Sequence, residues 1–129
     1  MILIDTHIWI WLNSDPEKLS VAALEQLQST PRIALSSISI YETMVAVEKG
    51  RIVSSFEPET LIRRWLKAFD VVRVPVGDEV AIQSRTLRFL HEDPFDRIIA
   101  GTAVHEKAPL MTADRNLLKL EWLSTISAQ

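Results

Sequence analysis

The sequence predicts an α/β fold, a three-layer sandwich in which a mainly parallel central sheet is flanked by helices. Three observations predict it. Short apolar runs of strand length recur along the chain, and longer segments of helical period separate most of them. The third is size: 129 residues, 47% of them hydrophobic, bury a substantial core and leave no room for a second. Strands joined by helical crossovers enter a parallel sheet covered on both faces, so residues 1–129 read as a single domain.

Ile2-Leu3-Ile4 is the first buried strand, and Asp5 stands where it would cap a helix over residues 6 to 12. Ile33-Ala34-Leu35 is the second strand. The periodic segment from Ser39 to Lys49 follows it and ends at Gly50. Behind Pro58, the residues Leu61, Ile62, Trp65, Leu66 and Phe69 make one apolar helix face. Val71 to Val76 is the third strand. Asp93 then caps a helix with Pro94 at its first position, and Phe95, Ile98, Ile99, Thr102 and Ala103 form its apolar face. Gly101 inside that helix costs roughly 1 kcal/mol relative to alanine, which points to close packing against a neighbour. Leu110-Met111 is the fourth strand, Asp114 caps Arg115 to Leu120, and Ser124 to Ser127 is a weaker fifth strand.

Composition removes several function classes. There is no cysteine, so a disulfide framework, a thiolate metal site and a cysteine nucleophile are excluded. The opening MILIDTHIWIWL lacks a basic leader, carries Asp5 and His7 and is too short to span a bilayer, which argues for a soluble, cytoplasmic protein with no membrane partner. A formal charge of −3 argues against a broadly basic nucleic-acid binder. Only three glycines occur, all isolated, and they make no phosphate-binding loop.

In a parallel α/β sheet, ligands sit beyond the carboxyl ends of the strands. Asp5 ends the first strand, Asp114 follows Leu110-Met111-Thr112, and Glu42 lies in the first turn of the helix entered from Ile33 to Ser36. Asp96 opens the helix that leads into the Asp114 strand. Each acid also has a local explanation: Asp5 and Asp114 as caps, Ser39-Ile40-Tyr41-Glu42 as a capping box, Asp96 as a complement to its helix dipole. Together they form a second pattern. Four carboxylates converging on one rim would repel one another unless a cation sat among them, and an oxygen-only donor set suits Mg²⁺ or Mn²⁺.

These motifs, Ile2-Leu3-Ile4-Asp5-Thr6, Ser39-x-x-Glu42, His91-x-Asp93-Pro94-Phe95-Asp96-Arg97 and Leu110-x-Thr112-x-Asp114, resemble those of PIN domains. More narrowly, they resemble the VapC-like toxin ribonucleases of toxin–antitoxin pairs, over about residues 2 to 126. The resemblance implies a PIN-like sandwich and a catalytic tetrad of Asp5, Glu42, Asp96 and Asp114. Asp5, Asp96 and Asp114 would hold Mg²⁺, with Mn²⁺ as the alternative, and Glu42 would ligate or orient water. It further implies an RNA substrate, a small antitoxin partner and a homodimer. Thr6 and Thr112 offer hydroxyls in support of the acids. Asn116 stands where many relatives carry a further acid, so the ligand set for a second ion is incomplete.

Other residues read as structural. Arg97 pairs with Asp93 four residues earlier. His7, His91 and His105 lack an i, i+4 metal spacing and fit hydrogen-bonded or surface roles. Trp9 and Trp11 point to different sides of one helix, and Arg51, Arg63, Arg64 and Lys67 form a basic strip explained by a solvated face. A receiver domain would need adjacent acids after the first strand and an Asp after the third, and a dehalogenase-type phosphatase would need Asp-x-Asp where His7 stands. A PIN-fold binding module without catalysis, or a housekeeping PIN nuclease without an antitoxin, remains the alternative.

Overall fold

In a computed structural model, which describes residues 1–89 and 92–129, the chain forms an α/β/α sandwich. Among the described residues the strands are β1 (Ile2–Ile4), β2 (Ile33–Ser36), β3 (Val71–Val74), β4 (Leu110–Thr112) and β5 (Thr125–Ser127). They pair in the order β3-β2-β1-β4-β5, and every pairing is parallel. The helices are α1 (Thr6–Ser14), α2 (Val21–Ser29), α3 (Ser37–Glu48), α4 (Pro58–Ala68), α5 (Asp78–Thr86), α6 (Pro94–Glu106) and α7 (Arg115–Leu118).

Strand alternation explains the layers. Ile2 and Ile4 of β1 face one apolar cluster, with Ile8, Trp9, Leu27, Ile62 and Met111; Leu3 faces the other, with Ala34, Ile99, Ala103, Leu110 and Leu117. All three β1 residues are buried because helices cover both faces of the sheet, as continuous apolar runs require. β1 is the central strand, so whatever follows its carboxyl end emerges in the middle of one edge.

Several boundaries shift for identifiable reasons. β3 stops at Val74 rather than Val76, because Pro75 has no N–H to continue the ladder. The helix read from Ser39 begins at Ser37, capped by Ser36, whose hydroxyl accepts the Ile38 N–H at 3.2 Å. α7 is one turn, ending at Leu118 instead of Leu120. Gly50 follows α3 at φ +74°, the left-handed conformation glycine tolerates. Gly101 of α6 packs against α5: a Cβ there would lie 2.3 Å from Ser84 Oγ and 3.2 Å from its Cα. Among the described residues no helix is long and apolar enough to cross a membrane.

Candidate active site

Asp5 follows the central strand and is 3% exposed. Its Oδ1 accepts the Thr6 N–H at 2.8 Å and caps α1, while Oδ2 accepts the Thr112 hydroxyl at 2.7 Å. Thr112, fully buried at the end of the neighbouring β4, in turn accepts the Asp114 N–H on Oγ1 at 3.0 Å. Asp114 caps α7 through Oδ1, which takes the N–H groups of Asn116 (2.7 Å) and Leu117 (3.3 Å). The capping and functional readings of these acids are therefore compatible. In Asp114 the cap engages one carboxylate oxygen, and the other remains for a ligand.

The opposite wall comes from α3. Glu42 lies in its second turn, so Ser39-x-x-Glu42 is not a capping box: the cap is Ser36, and Ser39 is buried inside the helix. Ser39 and Glu42 are instead joined through Thr6. Its Oγ1 lies 2.5 Å from Glu42 Oε1 and 2.9 Å from Ser39 Oγ. With one proton to give, Thr6 serves the carboxylate, and the Ser39 hydroxyl donates to Thr6. Sequence reading assigned Ser39 only a cap; nothing in the spacing signals a bond to a residue on another helix. Burial raises the Glu42 carboxyl above its ordinary range; the Thr6 bond opposes this, and Asp5 and Asp93 add repulsion.

Asp96, in the first turn of α6, completes the set. Burial, then the negative charges of Asp93, Asp5, Asp114 and Glu42, push its carboxyl up to about 7. Five acids thus share one field, and all five line one pocket of about 690 Å³. Among the described residues no three His, Asp or Glu side chains stand in a finished ligand cage. The donor set is all oxygen, anionic and part-buried, which fits a hard divalent cation and suits neither zinc nor a soft metal.

Asp93 accepts the Phe95 and Asp96 N–H groups at 2.9 and 3.4 Å, acting as the α6 cap. It is not the partner of Arg97. That guanidinium is buried, bonds Glu92 at 3.0 Å, approaches the Ser84 and Leu87 carbonyls and lies 4.9 Å from the Phe89 ring. With Asp93 committed to the helix amides, the arginine turns toward α5 instead. Asn116 is exposed and is not among the pocket residues. His7 is: Nε2 accepts the Ala113 N–H at 3.0 Å and Nδ1 lies 3.6 Å from Asp5 Oδ2. His105 is exposed on α6, and His91 lies outside the described residues. Trp9 is buried against Trp65, whereas Trp11 lines the pocket. The basic strip divides likewise: Arg63 pairs with Glu59, Arg64 lies over Phe56, and Arg51 reaches the pocket.

The PIN domain family model matches residues 2–123. Ribonuclease VapC22 of Mycobacterium tuberculosis is 30% identical over 119 residues, covering 90% of this chain and 88% of the relative. Among solved structures, the fold is similar to a chain of VapBC2 from Rickettsia felis bound to a DNA fragment from its promoter, with TM-score 0.77, 22% identity and all of both chains covered. DNA-bound VapBC from Salmonella typhimurium gives TM-score 0.76 at 19% identity, covering 99% of this chain and 98% of that one.

Proposed function

The chain belongs to the PIN domain family, and from that premise we propose that it is a metal-dependent endoribonuclease, the toxin of a toxin–antitoxin pair. One observation carries the reading: Asp5, Glu42, Asp96 and Asp114, from four separate elements, line one pocket where burial and mutual repulsion raise Asp96 to about 7. A fold gains nothing from such crowding unless a cation or a proton relieves it. The ribonuclease activity named for the M. tuberculosis relative and the toxin–antitoxin complexes among the structural neighbours support the same reading.

Asp5, Asp96 and Asp114 would hold Mg²⁺, or Mn²⁺ in its place. When bound, such an ion offsets charge on the phosphate oxygens and acidifies water. The chain's own residues supply position. Thr112 fixes Asp5 Oδ2 and the Asp114 backbone together, so the two strand-end carboxylates cannot drift apart. Thr6 fixes Glu42 Oε1, leaving Oε2 to orient and deprotonate the attacking water. Water attack on the phosphodiester leaves 5′-phosphate and 3′-hydroxyl ends. A small antitoxin, with an arginine or lysine reaching the acids, would restrain the enzyme in the cytoplasm, and a homodimer is the expected assembly.

The test is cleavage of structured RNA by the purified protein with and without Mg²⁺ or Mn²⁺, beside an Asp96→Asn control. Cleavage that needs the ion and Asp96 supports the reading, as does a melting temperature raised by the ion, by about 2.7 kcal/mol in stability at a hundredfold excess over Kd. Cleavage indifferent to both sinks it. Growth arrest on expression, relieved by a co-expressed partner and absent with Asp96→Asn, separates a toxin from a housekeeping nuclease.

A further inference from the structure

The pocket is longer than the acid site. Beyond Asp5 it continues along α1, where His7, Trp11 and Ser14 recur on one helical face, to Lys18 on one side and Arg51 after α3 on the other. Asp5, Glu42, Asp93, Asp96 and Asp114 line its sheet side, and Lys18, paired with Asp15, and Arg51 line the rest of it. Between them stand two aromatic rings, His7 and Trp11, with centroids 5.0 Å apart and planes inclined at 58°.

The ring of His7 is held by the Ala113 N–H, which Nε2 accepts at 3.0 Å, with Nδ1 3.6 Å from Asp5 Oδ2, so it forms a wall. Trp11 is half-buried: it packs on the core cluster and still lines the pocket. Lys18 Nζ pairs with Asp15 at 3.8 Å and lies over the Trp11 ring, 5.8 Å from its centroid, on an exposed side chain that can turn to a phosphate. Arg51 makes no side-chain ion pair among the described residues. Asp5 to Trp11 is six residues, about 9 Å along a helix. The ring therefore stands beside the reacting phosphate rather than at it.

We propose that Trp11, walled by His7, is a stacking subsite for an unpaired base next to the scissile phosphate, with Lys18 and Arg51 receiving the flanking phosphates of a single-stranded RNA. This rests on the ribonuclease reading of the adjoining acids. The division of labour follows from the substrate's chemistry. Phosphates approach carboxylates only through a cation, whereas a base presents an uncharged π-face that needs an aromatic platform. Basic groups hold the strand where the acids would repel it.

The experiment uses a short single-stranded RNA of mapped cut site and the same RNA with the flanking base removed, leaving an abasic ribose. On intact RNA, Trp11→Ala raises KM about tenfold with kcat little changed, the scale of one stacked base, and Trp11→Phe recovers most of the loss. Wild type loses the same factor on abasic RNA, and Trp11→Ala loses nothing further. Binding to the Asp96→Asn protein, read by anisotropy of fluorescently labelled RNA, follows the same pattern. The abasic arm needs no Trp11 variant, so misfolding of Trp11→Ala does not shield the proposal. Equal losses for Trp11→Ala on intact and abasic RNA, or none on either, overturn it and leave Trp11 a core residue or a contact for a protein partner. If wild type cuts nothing, the ribonuclease reading fails by itself, and the binding arm still decides this one.

Discussion

Asp5 and Asp114, at the ends of β1 and β4, are tied by hydrogen bonds to Thr112 and to the helices they cap. Glu42 and Asp96, on α3 and α6, stand part-buried in the field of the other acids, and both carboxyls are pushed upward. The two halves of the site are thus held by different forces. The strand half is placed by the sheet and its hydrogen bonds; the helix half registers charge, whether of a proton or a cation.

The largest expected effect tests whether both halves are needed. Asp5→Asn and Asp96→Asn should each lower cleavage roughly a hundredfold or more, yet diverge in metal-free stability. Asp96→Asn removes repulsion and should hold or raise the melting temperature. Asp5→Asn replaces an acceptor of the Thr112 hydroxyl with an amide and should cost about 1–2 kcal/mol. Matching stability changes in thermal melts would erase the distinction between the halves.

Thr112→Val comes next, because it cuts the strand half without touching a carboxylate. Losing the Asp5 donor and the Asp114 acceptor should cost about 1–3 kcal/mol and 10- to 100-fold in activity, read by denaturant melts and cleavage. The helix half is sharpened by pH. The folded value of Asp96, about 7, lies above its ordinary 3.8. Between them the folded protein holds more protons than the unfolded chain. Its contribution to metal-free stability is therefore full below about 4 and is lost as pH rises through about 7. A wild-type minus Asp96→Asn difference that is flat across that window would contradict this. The smallest effect is expected of Asp93→Asn: asparagine caps nearly as well, so stability should move by only a few tenths of a kcal/mol and cleavage should stay near normal.

The sequence made the strands and their parallel pairing legible because most are continuous apolar runs between helices, and it made the acids legible because Asp5 and Asp114 follow strands while Glu42 and Asp96 lie in the early turns of the helices beside them. What it left unread are contacts between elements. Ser36 and Ser39 are equally plausible caps by composition; only the packing of α1 against α3 commits Ser39 to Thr6. Arg97 has Asp93 at the right spacing, but a carboxylate already accepting two helix amides offers less than Glu92 and the carbonyls of α5. Trp9 and Trp11 differ by two positions, and the turn of α1 sends one into the core and the other into the pocket.

The central place of β1 has a consequence in time. Asp5 is made early, yet its Oδ2 waits for the hydroxyl of Thr112, and β1 waits for β4 to close its second edge. During synthesis at about 5–20 residues per second, roughly 5–20 s separate the emergence of Asp5 from that of Asp114. Throughout that interval the nascent chain carries only part of its acid site. Under the proposed reading, a site whose acids lie so far apart in sequence cannot act before Asp114 is made, which would give an antitoxin translated alongside it time to be present first.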